Sequence, residues 1–177
     1  RLQDGCLNGK QLINLDSEDD GQVFIGCAGG IDTLAKMHYS PIALSPNSLL
    51  ALKIKVGGLM GGHSGDDINK GRGNANKILV RFLYQVMQAT DMQLATINGG
   101  NLRNAIAREA EAVIAIPMAY KEDIRVMLNH YIATIESEIG DVEKDFFMTL
   151  ETTDMPALFI PEADAKRLLQ ALYACPH

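Results

Sequence analysis

Leu49-Leu50-Ala51-Leu52-Lys53-Ile54-Lys55-Val56 runs without a break into Gly57-Gly58-Leu59-Met60-Gly61-Gly62-His63-Ser64-Gly65. In the first segment apolar Leu52, Ile54 and Val56 alternate with Lys53 and Lys55. A period of two sends successive side chains to opposite faces, so 49–56 predicts a half-buried strand. Beyond the glycines the period changes. Ile78, Leu79, Phe82, Leu83, Val86 and Met87 fall on one face of a helix from about Asn74 to Thr90.

The same reading extends in both directions. Met92–Ile97 and Glu111–Pro117 predict strands, and Asp145–Thr152 a further one. Lys121–Ile139 predicts a second helix, with Ile124, Met127, Leu128, Tyr131, Ile132 and Ile135 on its apolar stripe. Pro161–Ala174 predicts a third, opened by proline and carrying Leu168, Leu169 and Leu172. Upstream, Gln11–Leu15 and Val23–Cys27 predict short strands, and Thr33–Leu44 an extended segment in which Pro41 favours a sheet edge. From Leu49 to Thr152 the order is β-α-β-β-α-β. That order folds as a ferredoxin-like antiparallel sheet with both helices on one face. The expected class is therefore α+β, with extra N-terminal strands and a C-terminal helix. Such a fold does not by itself define an activity.

The chain has 177 residues, 47% of them hydrophobic and 21% charged, the balance of an ordinary globular domain. Its net charge is -6 and its basic residues are scattered, which argues against a nucleic-acid partner. No apolar run approaches the ~20 residues of a membrane-spanning helix. Three cysteines, Cys6, Cys27 and Cys175, form no CxxC pair and point to reduced thiols in a cytoplasmic protein. The chain begins at Arg1 and stops at Pro176-His177, and both ends read as cut points. No internal repeat is present.

His63 lies among Gly57, Gly58, Gly61, Gly62 and Gly65. Glycines free the backbone to approach a ligand closely. A histidine presented on such a loop can donate to an oxyanion, bind a metal or carry a proton. A flexible turn with an incidental histidine fits these residues equally well, and Ser64 and Asp66 beside it do not amount to a triad. A phosphate loop would end in Gly-Lys-Ser/Thr, which is missing here. Asp16–Gly21 begins like a calcium loop but has Cys27 where the closing glutamate belongs. A solvated acidic turn fits Asp16–Gly21, and so does a carboxylate in a larger metal site. Gly99–Ile106 joins two strands and offers Asn101, Arg103 and Asn104 either as ligand contacts or as turn residues. His38 and His130 lack metal-like spacing and read as structural.

Three segments together resemble one family. Leu15–Gly21 (LDSEDDG), Gly26–Gly30 (GCAGG) and Gly58–Ile68 (GLMGGHSGDDI) are similar to the aminoacyl-histidine dipeptidases, dinuclear zinc peptidases of the M20 group. Asn101–Glu109 (NLRNAIARE) resembles a later segment of the same family. The resemblance implies a catalytic domain holding two zinc ions and a lid domain inserted into it. It implies that Asp16 is a metal ligand and Asn104 a substrate contact. It also implies that His63 reaches an active site, in dimeric relatives that of the neighbouring subunit, to stabilise the tetrahedral intermediate. Zinc-activated water attacking a peptide carbonyl needs a hydrogen-bond donor where negative charge develops.

The departures from the family are as informative. Its His-x-Asp metal motif, its Glu-Glu pair and its C-terminal metal histidine are missing, and position 107 is Ala where Pro is common. A segment with a substrate-binding arginine is expected beyond His177. The resemblance thus implies residues 1–30 as an edge of the catalytic domain and hinge, and 31–177 as an incomplete lid and dimerisation domain. The expected partners are a dipeptide substrate, the rest of the catalytic domain and a second copy in a homodimer. The isolated chain is expected to be inactive. A non-catalytic ferredoxin-like module that binds a small ligand or partner fits the element order as well, but leaves the long match around His63 unexplained.

Overall fold

The computed structural model describes residues 5, 8–11, 13, 20–26, 29–45 and 47–177. The chain forms two compact units, Arg1–Lys36 and Met37–His177. In the first, the described residues contain a turn at Asp20–Gly21 and no helix or strand. The strand expected at Val23–Cys27 is not formed over Val23–Gly26. Val23, Phe24 and Ile25 are exposed there, and among the described residues no strand pairs with them. Most of Gln11–Leu15 lies outside the described residues, as do Asp16, Cys6 and Cys27.

Among the described residues, the second unit carries all the regular elements. In order they are β1 (Leu49–Gly57), β2 (Gly62–His63), α1 (Ala75–Ala89), β3 (Gln93–Gly99), β4 (Ala105–Ile106) and β5 (Ala110–Pro117). A short 3₁₀ turn at Met118–Tyr120 then leads into α2 (Lys121–Ile139), β6 (Phe147–Thr152) and α3 (Glu162–Ala174). The main sheet has the order β3-β5-β1-β6 and is antiparallel throughout. With β2 and β4 set aside as a separate ribbon, this is the ferredoxin-like arrangement that the element order predicts. None of these helices is long and apolar enough to cross a membrane.

The registry explains the burial. Leu52 stands opposite Ile114, and Ile54 lies between Ala112 and Leu150. Ile78, Leu79, Phe82, Leu83 and Val86 of α1 join them in one core with Ile124, Leu128, Tyr131 and Ile135 of α2. Asn74 caps α1, its Oδ1 accepting from the Asn76 and Lys77 N–H groups at 3.0 and 3.4 Å. Such a cap contributes about 1 kcal/mol. The Tyr131 hydroxyl donates to the Ile78 carbonyl at 2.8 Å and ties α2 to α1.

Residues on the alternate positions of the strands form a second, smaller cluster. Ala95, Ala115 and Phe159 pack there with Leu44, Leu49, Val113 and Met155. The extended Thr33–Leu44 segment contributes no strand. Only Ile42 pairs, exchanging two hydrogen bonds with Phe159 at 2.9 and 2.8 Å. Pro41 has no N–H to continue a ladder on that side.

Candidate functional site

β1 ends at Gly57, and the chain turns away at once. Gly58 has φ +74°, and a Cβ there would collide with the Asp145 carbonyl oxygen. Only glycine fits that backbone and that space. The chain then forms β2, which pairs with β4 so that Gly62 stands opposite Ile106 and His63 opposite Ala105. One residue further on, the Ser64 N–H donates to the Asn104 carbonyl at 2.9 Å. The ribbon thus brings together two of the three residues expected at the site, His63 and Asn104. The third, Asp16, lies outside the described residues.

The His63 ring is held by backbone. Its Nδ1 accepts from the Gly65 N–H at 3.1 Å and the Asp66 N–H at 3.2 Å. Two donors aimed at Nδ1 require that nitrogen to be the unprotonated one, so the neutral ring carries its proton on Nε2. The side chain is half exposed, and the Asp66 carboxylate stands 3.7 Å from Nδ1. The neutral His63 ring therefore presents an Nε2–H donor on an exposed loop. This is the tautomer an oxyanion requires.

A second layer fixes the loop around the ring. Asp67 Oδ2 accepts from the His63 N–H at 2.8 Å and from Arg72 Nη1 at 3.0 Å, while Lys70 Nζ reaches Oδ1 at 2.6 Å. Arg72 Nη1 also donates to the Gly61 carbonyl at 2.6 Å. The Lys70 hydrogen bond, followed by that from the His63 N–H, holds the Asp67 carboxyl below the usual aspartate range. Gly62, at φ +146°, leaves room for this brace, because a Cβ there would meet Arg72 Nη1 and Asp67.

The neck of the loop is closed by Glu143, from the α2–β6 connection. Its Oε2 accepts from the Met60 N–H and its Oε1 from the Gly73 N–H, both at 2.7 Å. At 2% exposure it is the buried charged residue of the described core. Glu143 does not stand out in the sequence, and Asp67 enters only as part of the Gly58–Ile68 match. Gly71-Arg72-Gly73 carries a usable signal, an arginine framed by glycines, and its partners are the Gly61 carbonyl and the Asp67 carboxylate of the same loop.

Beside the ribbon lies a cleft of about 620 Å³. Lys55, Gly57, Asn98, Leu102, Glu109 and Phe147 are among its walls. His63 and Asn104 stand outside it, exposed on the ribbon. His38 and His130 are both exposed. Among the described residues no three of His, Cys, Asp or Glu gather as metal ligands, so these residues do not make up a zinc site.

Comparison with known proteins matches this geometry to one group. The peptidase dimerisation domain of the M20 group matches residues 54–143, the stretch from β1 through the Glu143 connection. The cytosol non-specific dipeptidase of Escherichia coli (strain K12) is 40% identical over 173 residues, 96% of this chain and 36% of that protein. The crystal structure of aminoacylhistidine dipeptidase from Vibrio alginolyticus superposes with a TM-score of 0.76 at 37% identity. That match covers 80% of this chain and 29% of the Vibrio one. The chain thus spans about a third of the length of these relatives. With the matched stretch taking in half of its residues, ribbon and neck included, the chain belongs to the M20 peptidase dimerisation domain family.

Proposed function

We propose that this chain is the lid and dimerisation part of a cytoplasmic zinc dipeptidase that hydrolyses Xaa-His and other dipeptides as a homodimer. The observation that carries the reading is the His63 ring, fixed by two backbone N–H groups as an Nε2–H donor beside Asn104. The identity to the two dipeptidases supports it along most of the chain.

When water adds to a peptide carbonyl, negative charge builds on the carbonyl oxygen. His63 supplies a preset donor for that oxygen and reorganises little as the charge appears. The Asn104 side chain contacts the substrate, while its backbone carbonyl keeps the ribbon closed. The two zinc ions draw their ligands from outside the described residues, Asp16 among them. Residues 1–30 form an edge of the catalytic domain and its hinge, and 31–177 the lid.

The test is turnover of a histidine-containing dipeptide, with zinc, by the isolated chain and by the full-length enzyme. The isolated chain is expected to be inactive and the full-length enzyme active. Robust turnover by the isolated chain sinks the assignment to a lid.

A further inference from the structure

We infer that Glu143 is the positioning residue that holds the His63 loop in its working shape, an inference that rests on the function proposed above. Glu143 lies in Asp141-Val142-Glu143-Lys144-Asp145, three acids and a lysine among five residues. The structure instead buries it to 2% exposure and gives each carboxylate oxygen one short backbone donor. A carboxylate withdrawn from water is costly unless its oxygens are satisfied, and hydrogen bonds to a charged acceptor are the strong kind.

What the two donors have in common is their place. Met60 lies just before the ribbon and Gly73 just after the brace, so one side chain closes both ends of the segment carrying His63, Asp67 and Arg72. Packing leaves no slack at this neck. A Cβ on Gly73 would stand 2.9 Å from Leu59 Cδ2 and 3.0 Å from Ile139 Cδ1. From the neck the connection runs on without a gap. Gly73 adjoins Arg72, Arg72 bonds the Gly61 carbonyl and Asp67, and Asp67 bonds the His63 N–H. Glu143 touches no substrate in this scheme and acts only through His63.

Replacing Glu143 by Gln keeps the shape but turns one acceptor into an N–H₂ facing a backbone N–H. One end of the loop is then released. The experiment is a double-mutant cycle in the full-length enzyme, comparing wild type, His63→Ala, Glu143→Gln and the double variant on a histidine-containing dipeptide. Glu143→Gln is expected to lower kcat about ten- to a hundredfold, the scale of a small misplacement at a reacting centre, with KM nearly unchanged. In the His63→Ala background the same change is expected to cost little more, because the group it positions is already gone. If His63→Ala lowers kcat and Glu143→Gln subtracts its full loss again, the inference fails and the proposed function stands. If His63→Ala leaves kcat untouched, the proposed function fails and the inference with it. Should Glu143→Gln not fold, amide hydrogen exchange on the wild-type enzyme decides. Slow exchange at Met60 and Gly73 supports the clamp, and free exchange at both overturns it.

Discussion

Ser64 and Asn104 are joined by backbone alone: the N–H of one donates to the carbonyl of the other at 2.9 Å. The side chain of Asn104 is therefore not needed to close the ribbon. Asn104→Ala is expected to raise KM about tenfold while leaving the thermal midpoint of the full-length enzyme unchanged, the loss of one hydrogen bond to substrate. A fall in the midpoint without a change in KM would move Asn104 from substrate contact to scaffold.

His63→Ala removes the donor and leaves the brace around it, since Asp67 bonds the backbone of residue 63 rather than its ring. In the full-length enzyme kcat is expected to drop roughly 10²-fold or more, as for other lost oxyanion donors. Zinc content measured by atomic absorption should be intact. Loss of metal would make His63 a ligand instead.

The Asp67 brace has a pH signature. The carboxyl is held below its ordinary value of 3.8, chiefly by Lys70 and then by the His63 N–H. A depressed folded-state value means the stabilisation is fully present above 3.8 and is lost only as pH falls further, through the folded value. The NMR shift of the His63 amide should show a step below about pH 3.8. In Asp67→Asn that step should be missing.

Tyr131 tests the joint between the helices. Tyr131→Phe removes the 2.8 Å bond to the Ile78 carbonyl and is expected to cost about 1 kcal/mol in denaturant unfolding. Burial pushes the phenol above its ordinary value of 10.0. The folded state thus keeps a proton that the unfolded chain releases, so stability should decline as pH rises above 10.0. The Phe variant should lack that decline.

Gly58→Ala combines an unfavourable φ of +74° with a clash against the Asp145 carbonyl, which is backbone and cannot rotate away. A loss of more than about 1 kcal/mol is expected, measured as a shift in the unfolding midpoint. A neutral result would show that the turn after β1 relaxes freely.

Most of the sheet and helices was legible because their signal is periodic. Alternation in Leu52–Val56 and the stripe from Ile78 to Met87 each follow from which face is buried, and the buried face is what the fold conserves energy on. The α2 bounds Lys121–Ile139 were legible for the same reason. The segment Val23–Gly26 was not, because a short apolar run forms a strand only when its backbone groups find partners, which apolarity alone does not specify. The site was legible in part. Motifs single out His63 and Asn104 as candidates, whereas their meeting depends on a ribbon of two residues per strand, too short for any periodicity. Glu143 was hidden because an exposed and a buried carboxylate are written with the same letter, while the Gly58–Ile68 match contains Asp67 without saying which N–H groups it will accept.

Gly57 closes β1, and the space where its side chain would stand is filled by the ring of Phe147, whose Cζ lies 2.6 Å from the missing Cβ. Both residues line the cleft beside the ribbon. The width of that cleft is thus set by an absent methyl group. A single exchange at position 57 would drive the ring outward and re-dimension the cleft, while the His63 loop keeps its own braces. The dimensions of the cleft and the hydrogen bonding of the His63 loop thus rest on separate residues.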